Sequence, residues 1–173
     1  MTDEELILKN ISKDKQEKAL IKLKQGYPVQ YIIGNVDFNG YLINVNENVL
    51  IPRFETELLV DKTKKLINKY FSNQKVSIAD LGTGSGAIAI YLKKEINCDV
   101  SAFDISDAAL NVAKENAVNN QVIINFIKYD IRKNIPGKYD CLISNPPYVS
   151  ITSQIDEKVK YEIAEELGLL DRV

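Results

Sequence analysis

The chain has 173 residues, 45% hydrophobic and 27% charged, with 22 Lys and Arg against 24 Asp and Glu and a formal net charge of -2. This is the make-up of a globular protein with one sizeable core, and its charge balance argues against bulk electrostatic attachment to nucleic acid. It has no His, and its two cysteines, Cys98 and Cys141, lack metal-pair spacing, which disfavours zinc sites and histidine-based acid–base chemistry.

No apolar run approaches the length of a membrane span, and "MTDEELILKN" lacks the basic start and apolar core of a secretion signal. A reducing, cytoplasmic setting is therefore expected. The first segment, residues 1–26, opens with Thr2 and Glu5 at capping-box spacing and closes on Gly26 after a Lys-rich turn, which predicts one broken or two short helices. Its Lys residues are mixed with Asp and Glu and read as a solvated helix face.

Residues 27–51 carry β-rich runs around Asn39-Gly40, the strongest short hairpin signal, and are expected to form a β-hairpin linker. Pro52 then stops the extended piece, and "ETELLVDKTKKLINKYF" predicts a helix with Leu58, Leu59, Thr63, Leu66, Ile67 and Tyr70 on one stripe. Residues 52–173 are expected to be a single α/β domain. Four short apolar runs, "VSIADLG", "CDVSAFD", "VIINFIKYD" and "YDCLISN", are separated by helical patterns and a loop at Pro136-Gly137, which predicts a mostly parallel sheet built from βαβ units. The final segment, "SQIDEKVKYEIAEELGLL", reads as a helix.

The chemistry concentrates where these strands end. In "ADLGTGSGAIAI", Asp80 closes a strand, and Gly82, Thr83, Gly84, Ser85 and Gly86 form the turn into a helix. Glycines there permit positive φ and let a ligand reach the backbone without meeting a Cβ. Gly82, Gly84 and Ala87 also satisfy the GxGxxG/A dinucleotide pattern, with Asp104 at the distance of a ribose-binding carboxylate, so the motif alone is ambiguous. Asp80 tips the balance, because an anionic side chain repels a pyrophosphate but attracts an ammonium and a sulfonium. "DLGTGSG" with a downstream Asp resembles motifs I and II of the methyltransferases that use S-adenosyl-L-methionine. Asp130 and Ile131, after the third strand, are candidates for the adenine amino group and ring face.

The fourth strand is expected beside the first, which brings Asn145 to the same sheet edge. Pro146 and Pro147 have no N–H to give a ladder, so the strand must end there and the loop stiffens. An amide or aromatic amino nitrogen is a poor nucleophile and must be held in line with the donor methyl. The Asn145 side-chain oxygen and the Pro146 carbonyl are placed to accept its two N–H groups, while Tyr148 offers an aromatic wall.

"DLGTGSGAIAI", "SNPPY" and "QYIIGNVDFNGYLINVNENVLIPRFETELLV" together resemble the HemK/PrmC family, protein-glutamine N5-methyltransferases acting on the Gly-Gly-Gln motif of peptide-chain release factors; the likeness runs from about Tyr27 to Val149. "NPPY" is shared with enzymes that methylate DNA and RNA amino groups, whereas "IPRFETE" is the specific part, with Phe54 where the family often has Pro. The resemblance implies a Rossmann-like class I methyltransferase sheet, S-adenosyl-L-methionine held by Gly82 to Gly86, Asp104, Asp130 or Ile131, and Asn145, and the glutamine held by Asn145 to Tyr148. Pro52, Arg53, Glu55 and Thr56 would lie near the cofactor and the substrate entrance.

The family has a multi-helix N-terminal domain and a seven-stranded sheet in the order 3-2-1-4-5-7-6, whereas about 25 residues precede the hairpin here and the chain stops about one helix after the fourth strand. The expectation is a truncated member whose fourth strand is an exposed edge open to self-association. An amino-methyltransferase of DNA or RNA is the competing enzyme reading, although no basic groove is evident and stable nucleic-acid binding is not expected. A non-catalytic module binding the cofactor or a partner is the alternative from another class.

Overall fold

A computed structural model of the chain describes residues 1–72 and 74–146. The helix expected in "SQIDEKVKYEIAEELGLL" lies outside the described residues. Helix α1 (Asp3–Asn10) starts with the capping box: the Thr2 N–H donates to Glu5 Oε2 at 2.7 Å and the Glu5 N–H to Thr2 Oγ1 at 3.2 Å. Helix α2 (Lys13–Lys24) follows, so the first segment is two helices. Both pack on a third, α3 (Val29–Ile33), around the buried side chains of Ile7, Ala19 and Val29.

Helix α3 departs from the sequence expectation, which read the run as extended. Pro28 opens it and Gly34 closes it at φ +88°, and these end signals, with the apolar cover of α1 and α2, outweigh the β preference of "VQYII". The hairpin is shorter than expected: β1 (Asn35–Phe38) pairs antiparallel with β2 (Tyr41–Asn44). Asn39 and Gly40, both at positive φ (49° and 84°), make the two-residue turn that matches strand twist.

Helix α4 (Phe54–Phe71) leads into β3 (Val76–Leu81), α5 (Ala87–Glu95), β4 (Cys98–Asp104), α6 (Asp107–Asn119), β5 (Asn125–Lys128) and β6 (Cys141–Ser144). The sheet is parallel, in the order β5-β4-β3-β6, so the fourth strand lies beside the first as expected. Register fixes the edge that matters: Leu81 stands opposite both Phe103 and Ser144, so the turn after β3, Asp104 and Asn145 emerge side by side.

The core joins Ile78, Val100, Ala102 and Ile143 of the sheet to Ile88, Leu92 and Val112 of the helices and to Phe38, Ile43 and Val49 of the hairpin region. Helix α4 turns inward only part of the expected stripe: Ile67 is buried and Leu59 packs on the core, but Leu58, Leu66 and Tyr70 are exposed, and Thr56 and Val60 are buried in their place. Adjacent stripes on this helix carry similar apolar content, and tertiary partners choose between them. Among the described residues, no helix is long and apolar enough to cross a membrane.

Candidate active site at the carboxyl edge of the sheet

The turn after β3 is built by backbone geometry first. Gly82, Gly84 and Gly86 sit at φ +74°, +52° and +81°, where a Cβ is strained. Space separates their roles. A Cβ on Gly86 would come within 3.1 Å of Ala113 Cβ, so this glycine lets α5 and α6 approach, whereas a Cβ on Gly84 would meet nothing within 4 Å. Gly84 therefore opens onto empty space that a ligand can fill.

The amides of the turn are largely committed within the protein. Gly82 and Thr83 donate to the Phe103 carbonyl at 2.8 and 2.9 Å, Gly86 to the Thr83 carbonyl at 2.8 Å, and Gly84 to Asp104 Oδ2 at 2.9 Å. Few of the turn's N–H groups are therefore left for a phosphate. Asp104 Oδ1 also accepts the Ser106 N–H at 2.9 Å, while Ser106 itself caps α6 through the Ala109 N–H, which leaves Asp104 to the turn. A carboxylate has about four acceptor positions, so two remain for a ligand's hydroxyls.

Asp80 lies beneath the turn, fully buried, with Oδ2 accepting the Thr83 hydroxyl at 2.6 Å and Oδ1 without a hydrogen-bond partner among the described residues. Burial pushes its pKa up to about 7, opposed by the Thr83 hydrogen bond. It supports the floor of the turn and does not line the cavity in front of it.

That cavity, about 220 Å³, is bounded by Gly82, Gly84 and Asp104 on one side and by Ile105, Ala109 and Ile131 on another. Ile131 Cδ1 is 3.8 Å from where a Gly82 Cβ would stand, so it roofs the turn. Asp130 also reaches the cavity, but its carboxylate is clamped by Arg132, whose Nε and Nη2 donate at 2.8 Å each and whose backbone N–H donates at 3.1 Å. The Arg132 guanidinium holds the Asp130 carboxyl down at about 2. Ile105 was missed by sequence reasoning, although a large apolar residue directly after a strand-ending Asp is a usable signal; it is 57% exposed on the wall of the cavity.

A second, smaller hollow, about 40 Å³, adjoins the other side of the turn and is lined by Thr83, Gly84 and Ser85, by Pro52 and Thr56, and by Asn145. Asn145 donates from Nδ2 to Thr56 Oγ1 at 2.9 Å. Pro146 follows it, exposed. Pro147 and Tyr148 lie outside the described residues. The "IPRFETE" segment thus reaches the site through Pro52 and Thr56, while Arg53 and Glu55 line a separate hollow of about 290 Å³ with Gln30 and Ile51.

A parallel α/β sheet with a glycine turn after its first strand, a carboxylate after its second and an Asn-Pro after its fourth defines a nucleotide-type binding edge of the class I methyltransferase kind. The chain belongs to the family described as the methyltransferase small domain, which matches residues 56–167. It is 46% identical to the release factor glutamine methyltransferase of Flavobacterium psychrophilum, over 84% of this chain and 52% of that protein. With the release factor glutamine methyltransferase of Lactococcus lactis subsp. lactis it shares 41% identity, over 98% of this chain and 62% of the relative. The chain thus spans about half to three fifths of the length of these curated relatives. Among solved structures, the tRNA (uracil-54, C5)-methyltransferase of Pyrococcus abyssi, in complex with S-adenosyl-L-homocysteine, aligns at a TM-score of 0.54 and 23% identity over 78% of this chain and 32% of that one, a likeness of fold.

Proposed function

We propose that this protein transfers a methyl group from S-adenosyl-L-methionine to the side-chain amide nitrogen of a glutamine, the one in the Gly-Gly-Gln motif of peptide-chain release factors. The observation that carries the reading is Asn145 standing on the wall of the hollow beside Gly84 and Ser85, with Nδ2 engaged by Thr56. An Asn held this way presents an acceptor to a carboxamide beside the cofactor turn. The release factor glutamine methyltransferases to which the chain is 46% and 41% identical support the choice of glutamine.

The residues present fit the cofactor. Asp104 retains acceptor capacity for a ribose, Ile105 and Ile131 offer apolar faces for an adenine, and the open space over Gly84 leaves room for the amino-acid part. With the amides of Gly82, Thr83, Gly84 and Gly86 committed internally and the Asp104 carboxylate on the cavity wall, a pyrophosphate is poorly served, which favours a ligand without phosphate. Bound there, S-adenosyl-L-methionine supplies an electrophilic methyl on a sulfonium.

The chain's own contribution is orientation. Asn145 Oδ1 and the Pro146 carbonyl each accept one N–H of the glutamine amide, which aims the nitrogen lone pair and favours the positive charge that grows on it. On methylation the amide proton would be released to water. No strong base is required, because an N-methylated amide cation is very acidic. Pro146, which has no N–H to give a ladder, ends the strand at this edge.

The test is transfer of labelled methyl to an intact release factor beside one whose Gly-Gly-Gln glutamine is replaced. Label on the native factor alone supports the reading. Label on both, or on nucleic acid in its place, overturns it.

A further inference from the structure

Resting on that reading of the site, we infer that Thr56 is a positioning residue that sets which way round the Asn145 carboxamide stands. The amide has a donor end and an acceptor end of nearly equal size, and only the acceptor end is useful to a substrate NH2 group. Something must choose between them. Thr56 is 5% exposed, in the first turn of α4, with its own N–H donating to the Arg53 carbonyl at 2.9 Å. Its Oγ1 accepts the Asn145 Nδ2–H at 2.9 Å across 89 residues of sequence. No described residue donates to Asn145 Oδ1.

A hydroxyl can receive from an amide N–H or donate to an amide oxygen; here Thr56 Oγ1 receives from Asn145 Nδ2. Thr56 and Asn145 share one hollow with Thr83, Gly84 and Ser85. With Nδ2 tied to the helix, Oδ1 is left as the end available to that hollow. The β-branch limits Thr56 to few χ1 rotamers, so its oxygen is held in place before any substrate arrives. A serine offers the same oxygen on a looser stem, and a valine the same shape with no acceptor. This gives "IPRFETE" a role in the chemistry although none of its side chains need touch the reacting atoms: it fixes the polarity of a residue on a distant strand.

The test compares Thr56→Val and Thr56→Ser in the whole chain, by the side-chain NH2 resonances of Asn145 and by methyl transfer. In the parent, one Asn145 amide proton is expected to exchange with solvent slowly. Thr56→Val should speed that exchange about tenfold, and Thr56→Ser should keep it within about threefold, as loss or retention of one hydrogen bond implies. Transfer should follow the same order: kcat down about tenfold in Thr56→Val, with cofactor affinity unchanged, and largely restored in Thr56→Ser.

An Asn145 amide indifferent to Thr56→Val, or a Thr56→Ser protein as impaired as Thr56→Val, overturns the inference. If the amide responds as expected but the parent methylates no Gly-Gly-Gln factor while binding cofactor, the positioning role stands and the substrate reading is the one that fails.

Discussion

Asn116 donates its side-chain amide to the Ser85 carbonyl at 2.9 Å, reaching from α6 into the glycine turn. The same Nδ2 donates to the Asn44 carbonyl at 2.9 Å, and Oδ1 accepts the Asn44 N–H at 2.7 Å, so one fully buried amide ties the hairpin to the glycine turn. The hairpin is thereby part of the site's foundation.

Replacing Asn116 by Leu strands the Ser85 and Asn44 backbone groups without partners in a dry interior. The expected loss is about 3 kcal/mol in urea unfolding, from hydrogen bonds worth about 1 kcal/mol each and the desolvation they no longer offset. Cofactor affinity should fall with it. A loss under about 0.5 kcal/mol would show that water or repacking replaces the amide.

Gly84 and Gly86 should separate when each is changed to Ala. At Gly86 the new Cβ meets Ala113 Cβ at 3.1 Å and Cα at 3.3 Å, so the fold should lose about 2 kcal/mol through overpacking and strain. At Gly84 nothing lies within 4 Å, and the cost should be nearer about 1 kcal/mol, from φ +52° alone. Calorimetry should show the reverse order of effect on the cofactor, with Gly84→Ala losing affinity through occupied space.

Asp80 should make stability depend on pH. Its folded pKa, raised to about 7 by burial, lies above the ordinary carboxyl value, so the folded state keeps a proton that the unfolded chain has already released. Unfolding free energy should be fullest at acid pH, as far as this group is concerned, and fall as pH rises from the ordinary carboxyl range towards 7. In Asp80→Asn the Thr83 hydroxyl still finds an oxygen, and that slope should vanish. Equal slopes in the two proteins would mean that Asp80 does not titrate as its burial requires.

The parts of the fold legible in the sequence are those with local causes. Glycines at Gly82, Gly84 and Gly86 announced the turn, Asn39-Gly40 the hairpin, and Thr2 with Glu5 the first helix. The alternation of apolar runs gave the parallel sheet and the place of Asn145. What escaped depends on distant partners. The inward face of α4 runs through Thr56, whose partner Asn145 is 89 residues away, and the polar Asn116 is buried for groups on Asn44 and Ser85. Both are polar, so neither stands out in a pattern of apolar residues. Helix α3 was legible in Pro28 and Gly34, but its β-branched interior masked those ends.

The most direct measurement of the central claim is Asn145→Ala, assayed in one preparation for S-adenosyl-L-methionine affinity and for methyl transfer to the release-factor glutamine. The cavity proposed for the cofactor is bounded by Gly82, Gly84, Asp104 and Ile131, whereas Asn145 stands in the adjoining hollow. Affinity should therefore change by less than about threefold, while transfer falls about a hundredfold or more, as when a positioned acceptor at a reacting centre is removed. Transfer at the parent rate in Asn145→Ala, with glutamine still the acceptor, would contradict the account.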